Sequence, residues 1–275
     1  MKTLYISDLD GTLLNKNAMI SDYSKSEIRR MVDGGAFFSV ATARTSATVL
    51  RMMRDVPLNV PVVLMNGVCV YDTLSSRYIK IDMMGGETKK AAQAILASHN
   101  LFGFWYSLKK DELSTFFVKA GSAAAEDFIK EREKYGKKFI KMKSFDECLD
   151  EPLVYYSICA EKEVIEAAAR DLKTVKGLRV EFYPDTYLEN HLYLELCSAN
   201  ASKRSAVNFL RDKYGFERIV SFGDNLNDLP MFEASDESCA MSNAMPEVKS
   251  RATRVIGSND DDGVVKWMSR DIVGL

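Results

Sequence analysis

The most constraining feature of the sequence is the stretch "YISDLDGTLL" at residues 5–14, in which an apolar run ends on two aspartates separated by one residue. Asp8 and Asp10 are close enough to repel one another, and burial would raise their pKa values further. The Gly11-Thr12 pair that follows predicts a turn. The fold must therefore bring compensating positive charge to the end of this first strand.

Strands and helices alternate at both ends of the chain. "SKSE" (Ser24 to Glu27) has the form of a capping box and predicts a helix through "IRRMVDGG". A strand "AFFSVATAR", a helix and a strand "VPVVLMNG" follow, and the C-terminal part continues with helix "SKRSAVNFLRDKYG", strand "RIVSFGDN" and helix "DDDGVVKWM". We expect the aspartates 260–262 to cap that last helix rather than bind a metal. The alternation predicts a parallel sheet.

The pattern changes in the middle of the chain, from residue 87 to residue 187. Helices such as "ETKKAAQAILASH" alternate there with half-polar strands such as "FGFWYS", "STFFVKA" and "VYYSICA", which suit a mainly antiparallel sheet. The predicted fold is α/β, with a Rossmann-like parallel-sheet core at residues 1–83 and 190–275 and an inserted α+β cap domain at 84–189. Hinges near 84–86 and 185–192 would let the insertion move as a lid.

Composition excludes several classes of protein. The 37 lysines and arginines nearly balance the 39 aspartates and glutamates, so the charge footprint of a nucleic-acid binder is absent. The five cysteines form no C-x-x-C pair, which argues against a disulfide framework or a zinc site. No apolar run approaches the ~18 residues of a membrane span. We expect a cytoplasmic protein without a membrane partner, and the sequence sets no oligomeric state.

Reactive or hydrogen-bonding side chains follow four of the predicted core strands: Asp8 with Asp10, Thr42, Asn66 and Asp224. In an open parallel sheet, these strand ends meet at one edge. Asp228 lies four residues after Asp224 and can reach the same point. Such an all-oxygen carboxylate set favours Mg²⁺.

Lys203, at the start of a predicted core helix, would attract a phosphoryl group together with the helix N-terminus, and Thr42 would add a hydroxyl donor. Asp8 could then attack phosphorus and form an aspartyl phosphate.

"DLDGT", a threonine ending the second core strand, a downstream lysine and "GDNLND" together resemble the haloacid dehalogenase-like superfamily of phosphohydrolases. The insertion, the "MNG" turn and the tail "AMSNAMPEVKSRATRVIGSNDDDGVVKWM" are similar to its Cof-like sugar-phosphatase group. The chain departs from the usual pattern at Ala43, where the group has glycine.

The resemblance implies a Mg²⁺-dependent phosphatase of small phosphorylated metabolites, sugar phosphates foremost. Asp8 would be the nucleophile and Asp10 the acid and base. The implied site residues are phosphate-binding Leu9, Thr42, Ala43, Lys203 and Asn227; metal-binding Asp8, Asp10, Asp224 and Asp228; and pocket residues Arg44, Asn66 and Gly67.

Two alternatives to a phosphatase stay open at this point. The same aspartate would serve a phosphosugar mutase or phosphotransferase, and a non-enzymatic phosphoacceptor or binding module also uses an aspartate, a hydroxyl residue and a lysine. The inserted domain and Asp10 argue against the phosphoacceptor, because a second acid would speed the attack of water on the phosphorylated protein.

Overall fold

The computed structural model describes residues 1–119, 126, 129–130, 132–134, 137–185 and 188–274. The chain divides into two compact units, Met1–Lys80 with Ser202–Leu275, and Ile81–Ala201. Within the described residues, no helix combines the length and the apolar character needed to cross a membrane. The second predicted hinge, 185–192, includes residues 186 and 187, which lie outside the described residues.

Fourteen strands have the following bounds in the described part of the chain: β1 Thr3–Ser7, β2 Phe37–Val40, β3 Val62–Leu64, β4 Cys69–Asp72, β5 Arg77–Ile81, β6 Phe104–Lys109, β7 Glu112–Phe117, β8 Lys138–Lys141, β9 Leu153–Glu161, β10 Leu178–Pro184, β11 His191–Ser198, β12 Arg218–Gly223, β13 Glu237–Met241 and β14 Arg254–Ile256. The α-helices are α1 Asp22–Asp33, α2 Ser46–Met52, α3 Gly86–Ser98, α4 Lys162–Leu172, α5 Lys203–Tyr214, α6 Leu229–Phe232, α7 Pro246–Arg251 and α8 Gly263–Val273.

The first unit is built on a parallel sheet in the order β14-β13-β12-β1-β2. Strand β1, which lies between β12 and β2, is buried along most of its length, as expected for a strand covered on both faces. A parallel bridge from Ala41 to Val63 joins this sheet to the three strands β3-β4-β5. The parallel core predicted from the alternation of elements is therefore confirmed.

Helix α1 begins earlier than the sequence predicts. Its N-cap is Ser21, whose side chain accepts a hydrogen bond from the backbone N–H of Ser24 at 2.9 Å. The predicted capping box at Ser24 to Glu27 is wrong, because Ser24 lies inside the first turn and is itself capped. Ser21 and Ser24 both fit a cap, so residue type alone did not distinguish them.

The aspartates 260–262 differ from the prediction as well. Asp262 occupies the N-cap position of α8 but makes no side-chain cap there. Its carboxylate instead accepts hydrogen bonds from the hydroxyls of Ser21 and Ser24, at 2.7 Å from Ser24. Asp262 thus ties the start of α8 to the start of α1, which no local pattern reveals.

The second unit is built on a sheet in the order β10-β11-β9-β6-β7-β8, antiparallel except for the β7–β8 pair. Helices α3 and α4 supply Leu96 and Ile165 to a core that also buries Trp105 and Tyr156 from the sheet. The α+β character of the insertion is as predicted.

The division between the two units differs from the predicted boundaries at 83/84 and 189/190, because it falls after Lys80 and after Ala201. Strand β11 accounts for most of the difference. It pairs with β9 and β10, and its buried Leu192, Leu194 and Leu196 pack into the core of the second unit.

Candidate active site

Four of the predicted residues follow neighbouring strands at the same edge of the first unit. Asp8 follows β1, and its N–H donates to the carbonyl of Phe222 in β12 at 2.9 Å. Thr42 lies two residues beyond β2, and its carbonyl accepts from the N–H of Asn66 at 3.0 Å. Asp224 follows β12 directly. The parallel register thus brings together side chains that are far apart in sequence.

A buried lysine lies between two of the carboxylates. The ammonium of Lys203 is 2.7 Å from Oδ1 of Asp8 and 2.6 Å from Oδ1 of Asp228, and its side chain is fully buried. Ser202 caps α5 by accepting from the N–H of Ser205 at 3.0 Å, which fixes the helix start from which Lys203 extends. Lys203 therefore provides part of the compensation that Asp8 requires.

Asp228 also organises the loop that carries Asp224. Its Oδ2 accepts hydrogen bonds from the backbone N–H groups of Asp224 at 2.9 Å and Asn225 at 3.0 Å. The hydroxyl of Thr12 in turn donates to Oδ1 of Asp224 at 2.9 Å. Gly11 has φ +73°, and a Cβ at this position would lie 2.3 Å from Oδ2 of Asp224. Only glycine permits this approach of the two loops.

Three carboxylates meet at this point, those of Asp8, Asp224 and Asp228, each with an oxygen within 4.8 Å of the others. Burial raises the pKa of Asp8 to about 8, although the charge of Lys203 opposes the rise. Burial and then the charge of Asp228 raise the pKa of Asp224 to about 6. Burial acts to lower the pKa of Lys203, but the charges of Asp228 and Asp8 outweigh it and raise that pKa.

The donor set fits a hard divalent cation. All three groups offer oxygen, and when all three carboxylates are ionised, the one ammonium leaves the cluster with a net charge of −2. Both oxygens of Asp228 already accept hydrogen bonds from Lys203 or the backbone. Asp8 and Asp224 are thus the members best placed to hold a metal ion.

Asp10 lies outside the buried cluster and is paired with Arg44. The guanidinium donates from Nε to Oδ2 at 2.8 Å and from Nη2 to Oδ1 at 2.6 Å. The Asp10 side chain is 53% exposed, in contrast to 8% for Asp8. The two aspartates of the D-x-D pattern therefore occupy different environments.

Asn66 and Asn227, predicted from separate motifs, contact each other, with the Asn227 amide donating to Oδ1 of Asn66 at 3.1 Å. Gly67 has φ +92°, and a Cβ there would lie 2.0 Å from the carbonyl oxygen of Ser202. The "MNG" turn is thus packed against the residue that precedes Lys203.

Two of the predicted phosphate-binding residues do not bring a side chain to the cluster. Leu9 is fully buried, and Ala43 is exposed. Any contribution of these two residues to phosphate binding would come from their backbone N–H groups. Thr42 is buried, and its Oγ1 accepts from the N–H of Arg44 at 3.2 Å, so its own hydroxyl hydrogen is available to another group.

Residues of the C-terminal loop that sequence analysis did not assign also support the site. The Asn243 amide donates to the carbonyl of Gly11 at 2.8 Å, and the N–H of Met245 donates to the carbonyl of Asp224 at 3.0 Å. This loop therefore holds both aspartate-bearing loops. Both residues lie in the tail "AMSNAMPEVKS", which supports the family resemblance. The resemblance assigned no role to the individual residues of this tail.

The chain is similar to known proteins over almost its whole length. Residues 5–268 match the family described as haloacid dehalogenase-like hydrolase. The chain is 30% identical to 5-amino-6-(5-phospho-D-ribitylamino)uracil phosphatase YwtE of Bacillus subtilis (strain 168), over 100% of this chain and 99% of that protein. It is 26% identical to pyridoxal phosphate phosphatase YbhA of Escherichia coli (strain K12), over 97% of each.

A solved structure shares the fold across the whole chain. It is that of a haloacid dehalogenase-like hydrolase from Bacteroides thetaiotaomicron, with a TM-score of 0.79 and 19% identity, covering 98% of this chain and 100% of that one. The predicted α/β core with an inserted α+β domain is therefore confirmed.

Proposed function

This chain belongs to the haloacid dehalogenase-like hydrolases, and on that basis we propose that it is a Mg²⁺-dependent phosphatase acting through an aspartyl phosphate on Asp8. Its relatives establish the coarser statement, a phosphatase of the Cof-like group that hydrolyses phosphoric monoesters. The non-enzymatic alternative is thereby set aside. The observation that carries the mechanism is the buried contact of Asp8 with Lys203 at 2.7 Å inside the carboxylate cluster.

In the first step, a carboxylate oxygen of Asp8 forms a bond to phosphorus while the bond from phosphorus to the leaving-group oxygen breaks. Lys203 and the hydroxyl of Thr42 would stabilise the charge on the phosphoryl oxygens, which is the main task of a protein in phosphoryl transfer. The backbone N–H groups near Leu9 and Ala43, and the amide of Asn227, would share this role. Asp10 would give its proton to the departing alkoxide.

In the second step, water attacks phosphorus, the bond from phosphorus to Asp8 breaks, and inorganic phosphate leaves. Asp10, now a carboxylate, takes the proton of the attacking water. Its greater exposure supports this role, because an acid–base group must reach both the leaving group and the solvent water.

A Mg²⁺ ion would be held by Asp8, Asp224 and the backbone carbonyl of Asp10, with Asp228 supporting the site by fixing Lys203 and the Asp224 loop. When bound, the ion supplies positive charge that offsets the phosphoryl oxygens. Family membership and the acidic cluster support a divalent cation as cofactor. The identity of the ion as Mg²⁺ is part of the proposal.

The proposed substrates are small phosphorylated metabolites, sugar phosphates among them. The names of the two relatives specify a phosphorylated ribitylamino-uracil and pyridoxal phosphate, both small phosphate esters. Arg44, Asn66 and Gly67 lie beside the cluster, where they would line the substrate pocket of the first unit.

The test is release of inorganic phosphate from sugar phosphates, nucleotides and cofactor phosphates, with Mg²⁺ and with a chelator. Asp8→Asn should abolish release, because the amide cannot attack phosphorus, and acid-quenched wild-type protein should carry phosphate on Asp8. Activity of Asp8→Asn within tenfold of wild type would refute the nucleophile assignment. Transfer of phosphate to a sugar hydroxyl in preference to water would instead identify a mutase or phosphotransferase.

A further inference from the structure

Asp10 is held in a different way from the other carboxylates of the site. Asp8 accepts a hydrogen bond from the ammonium of Lys203, Asp224 accepts one from the hydroxyl of Thr12, and Asp228 accepts hydrogen bonds from backbone N–H groups of its own loop. In the part of the chain that the structure describes, the carboxylate of Asp10 receives hydrogen bonds from the side chain of Arg44 alone. The orientation of the half-exposed Asp10 side chain therefore depends on this one residue.

The backbone of Arg44 is fixed on both sides. Its N–H donates to Oγ1 of Thr42 at 3.2 Å, and its carbonyl accepts from the N–H of Met65 at 3.1 Å. The rigid fork of the guanidinium contacts both oxygens of Asp10, which fixes the plane of the carboxylate as well as its position. Arg44 thus connects Asp10 to the same strand end that carries Thr42.

We propose that Arg44 is a positioning residue that orients Asp10 for proton transfer at the leaving-group oxygen. An exposed aspartate with free side-chain torsions would occupy several rotamers, and only a narrow geometry allows proton transfer. Misplacement of a reacting group by about 1 Å can cost ~100-fold in rate. This inference rests on the proposed function, in which Asp10 is the acid and base.

The inference is tested by comparing leaving groups. Ribose 5-phosphate has an alkoxide leaving group that needs a proton, whereas 4-nitrophenyl phosphate releases a phenolate that does not. In Arg44→Gln, we expect kcat with ribose 5-phosphate to fall about 10- to 100-fold, within the range of acid–base catalysis, with KM changed less than about threefold. The rate constant of the rapid nitrophenolate burst should stay within about threefold of the wild-type value. The steady-state turnover that follows the burst should be slower than in wild type.

Two further variants separate positioning from a merely structural role. Arg44→Lys should recover part of the lost rate, because it restores a positive charge without the fork. Arg44→Gln should have little further effect in an Asp10→Asn background, since residues that act through one another are not additive. Arg30→Gln is the matched control, because it breaks an exposed pair with Glu27, 2.7 Å from Nη2 to Oε2, on α1. Arg30→Gln should leave the kinetics with both substrates unchanged.

Several results would overturn the inference. Equal losses with the two substrates in the burst phase, or an additive loss in the Asp10→Asn background, would show that Arg44 does not act through Asp10. A KM raised tenfold for both substrates, with weaker inhibition by inorganic phosphate, would show that Arg44 binds the phosphoryl group instead. If wild-type protein releases phosphate from none of the sugar phosphates, nucleotides and cofactor phosphates, the proposed function itself fails.

Discussion

Replacing Asp224 by asparagine should stabilise the metal-free protein at pH 8. Burial and then the charge of Asp228 raise the pKa of Asp224 from 3.8 to about 6, so the ionised carboxylate is unfavourable in the fold. An asparagine has nearly the same shape, and its carbonyl oxygen can still accept the 2.9 Å hydrogen bond from Thr12. The substitution therefore removes the buried charge and keeps the contact.

The sign and size follow from the two pKa values. Well below pH 3.8, Asp224 is protonated in both the folded and the unfolded state, so its ionisation does not affect the free energy of unfolding. Because the folded pKa is the higher one, the free energy of unfolding falls as pH rises from 3.8 to about 6 and is then constant. A difference of about two pKa units corresponds to about 3 kcal/mol. Asn at this position should recover about 3 kcal/mol at pH 8 and about 1 kcal/mol at pH 4.5.

The assay is urea unfolding in the presence of a chelator at the two pH values. Asp236→Asn is the matched control, because Asp236 is an exposed carboxylate held by Arg211 at 2.7 Å. Burial acts to raise the pKa of Asp236, but the hydrogen bond from Arg211 opposes this, and the pKa is lowered overall. The ionised carboxylate therefore stabilises the fold above pH 4. Its replacement should lower stability at pH 8. An Asp224→Asn protein no more stable than wild type at pH 8 would refute the reasoning.

Four further outcomes are expected. Mg²⁺ should raise the melting temperature of wild-type protein more at pH 8 than at pH 5.5, because protons compete with the ion for raised-pKa carboxylates; an equal rise would contradict this. Gly67→Ala should cost more than about 2 kcal/mol in urea unfolding, since its Cβ would lie 2.0 Å from the Ser202 carbonyl, whereas Gly215→Ala, with no atom within 4 Å, should cost about 1 kcal/mol. Lys203→Met should destabilise by about 3–5 kcal/mol at pH 8, because it leaves buried carboxylates without their cation; a loss below about 1 kcal/mol would count against the shared contact. Calorimetric titration should show inorganic phosphate binding at least tenfold more weakly when Mg²⁺ is removed.

The strand ends of the core could be predicted from sequence because they follow from a local pattern and one topological rule. Each of Asp8, Thr42, Asn66 and Asp224 follows an apolar run, and parallel strands place such residues at one edge. Strand β11 was also visible in principle. Its leucines 192, 194 and 196 alternate with more exposed residues, as in the other strands of the second sheet.

The contacts between distant residues could not be predicted in the same way. The pair of Arg44 with Asp10 and the bond from Asn243 to Gly11 join positions 34 and 232 residues apart. Both depend on where loops approach one another after the sheet has formed, and neither the residue type nor the local spacing specifies that approach. The cap at Ser21 was missed for a local reason, because two serines three residues apart both satisfied the rule.

The charge balance of the cluster explains why a strand should end on Asp-x-Asp at all. Lys203 neutralises one charge among the three carboxylates, of which Asp8 and Asp228 are buried and Asp224 is partly buried. The pKa values of Asp8 and Asp224 are both raised. A second lysine would have reduced the net charge of the ionised cluster from −2 to −1 and so weakened its attraction for a divalent cation. With the cluster at −2, a divalent ion restores neutrality, and only then does a phosphate dianion meet no net repulsion. The instability at neutral pH and the capacity to bind a phosphate ester through a metal therefore have the same physical cause.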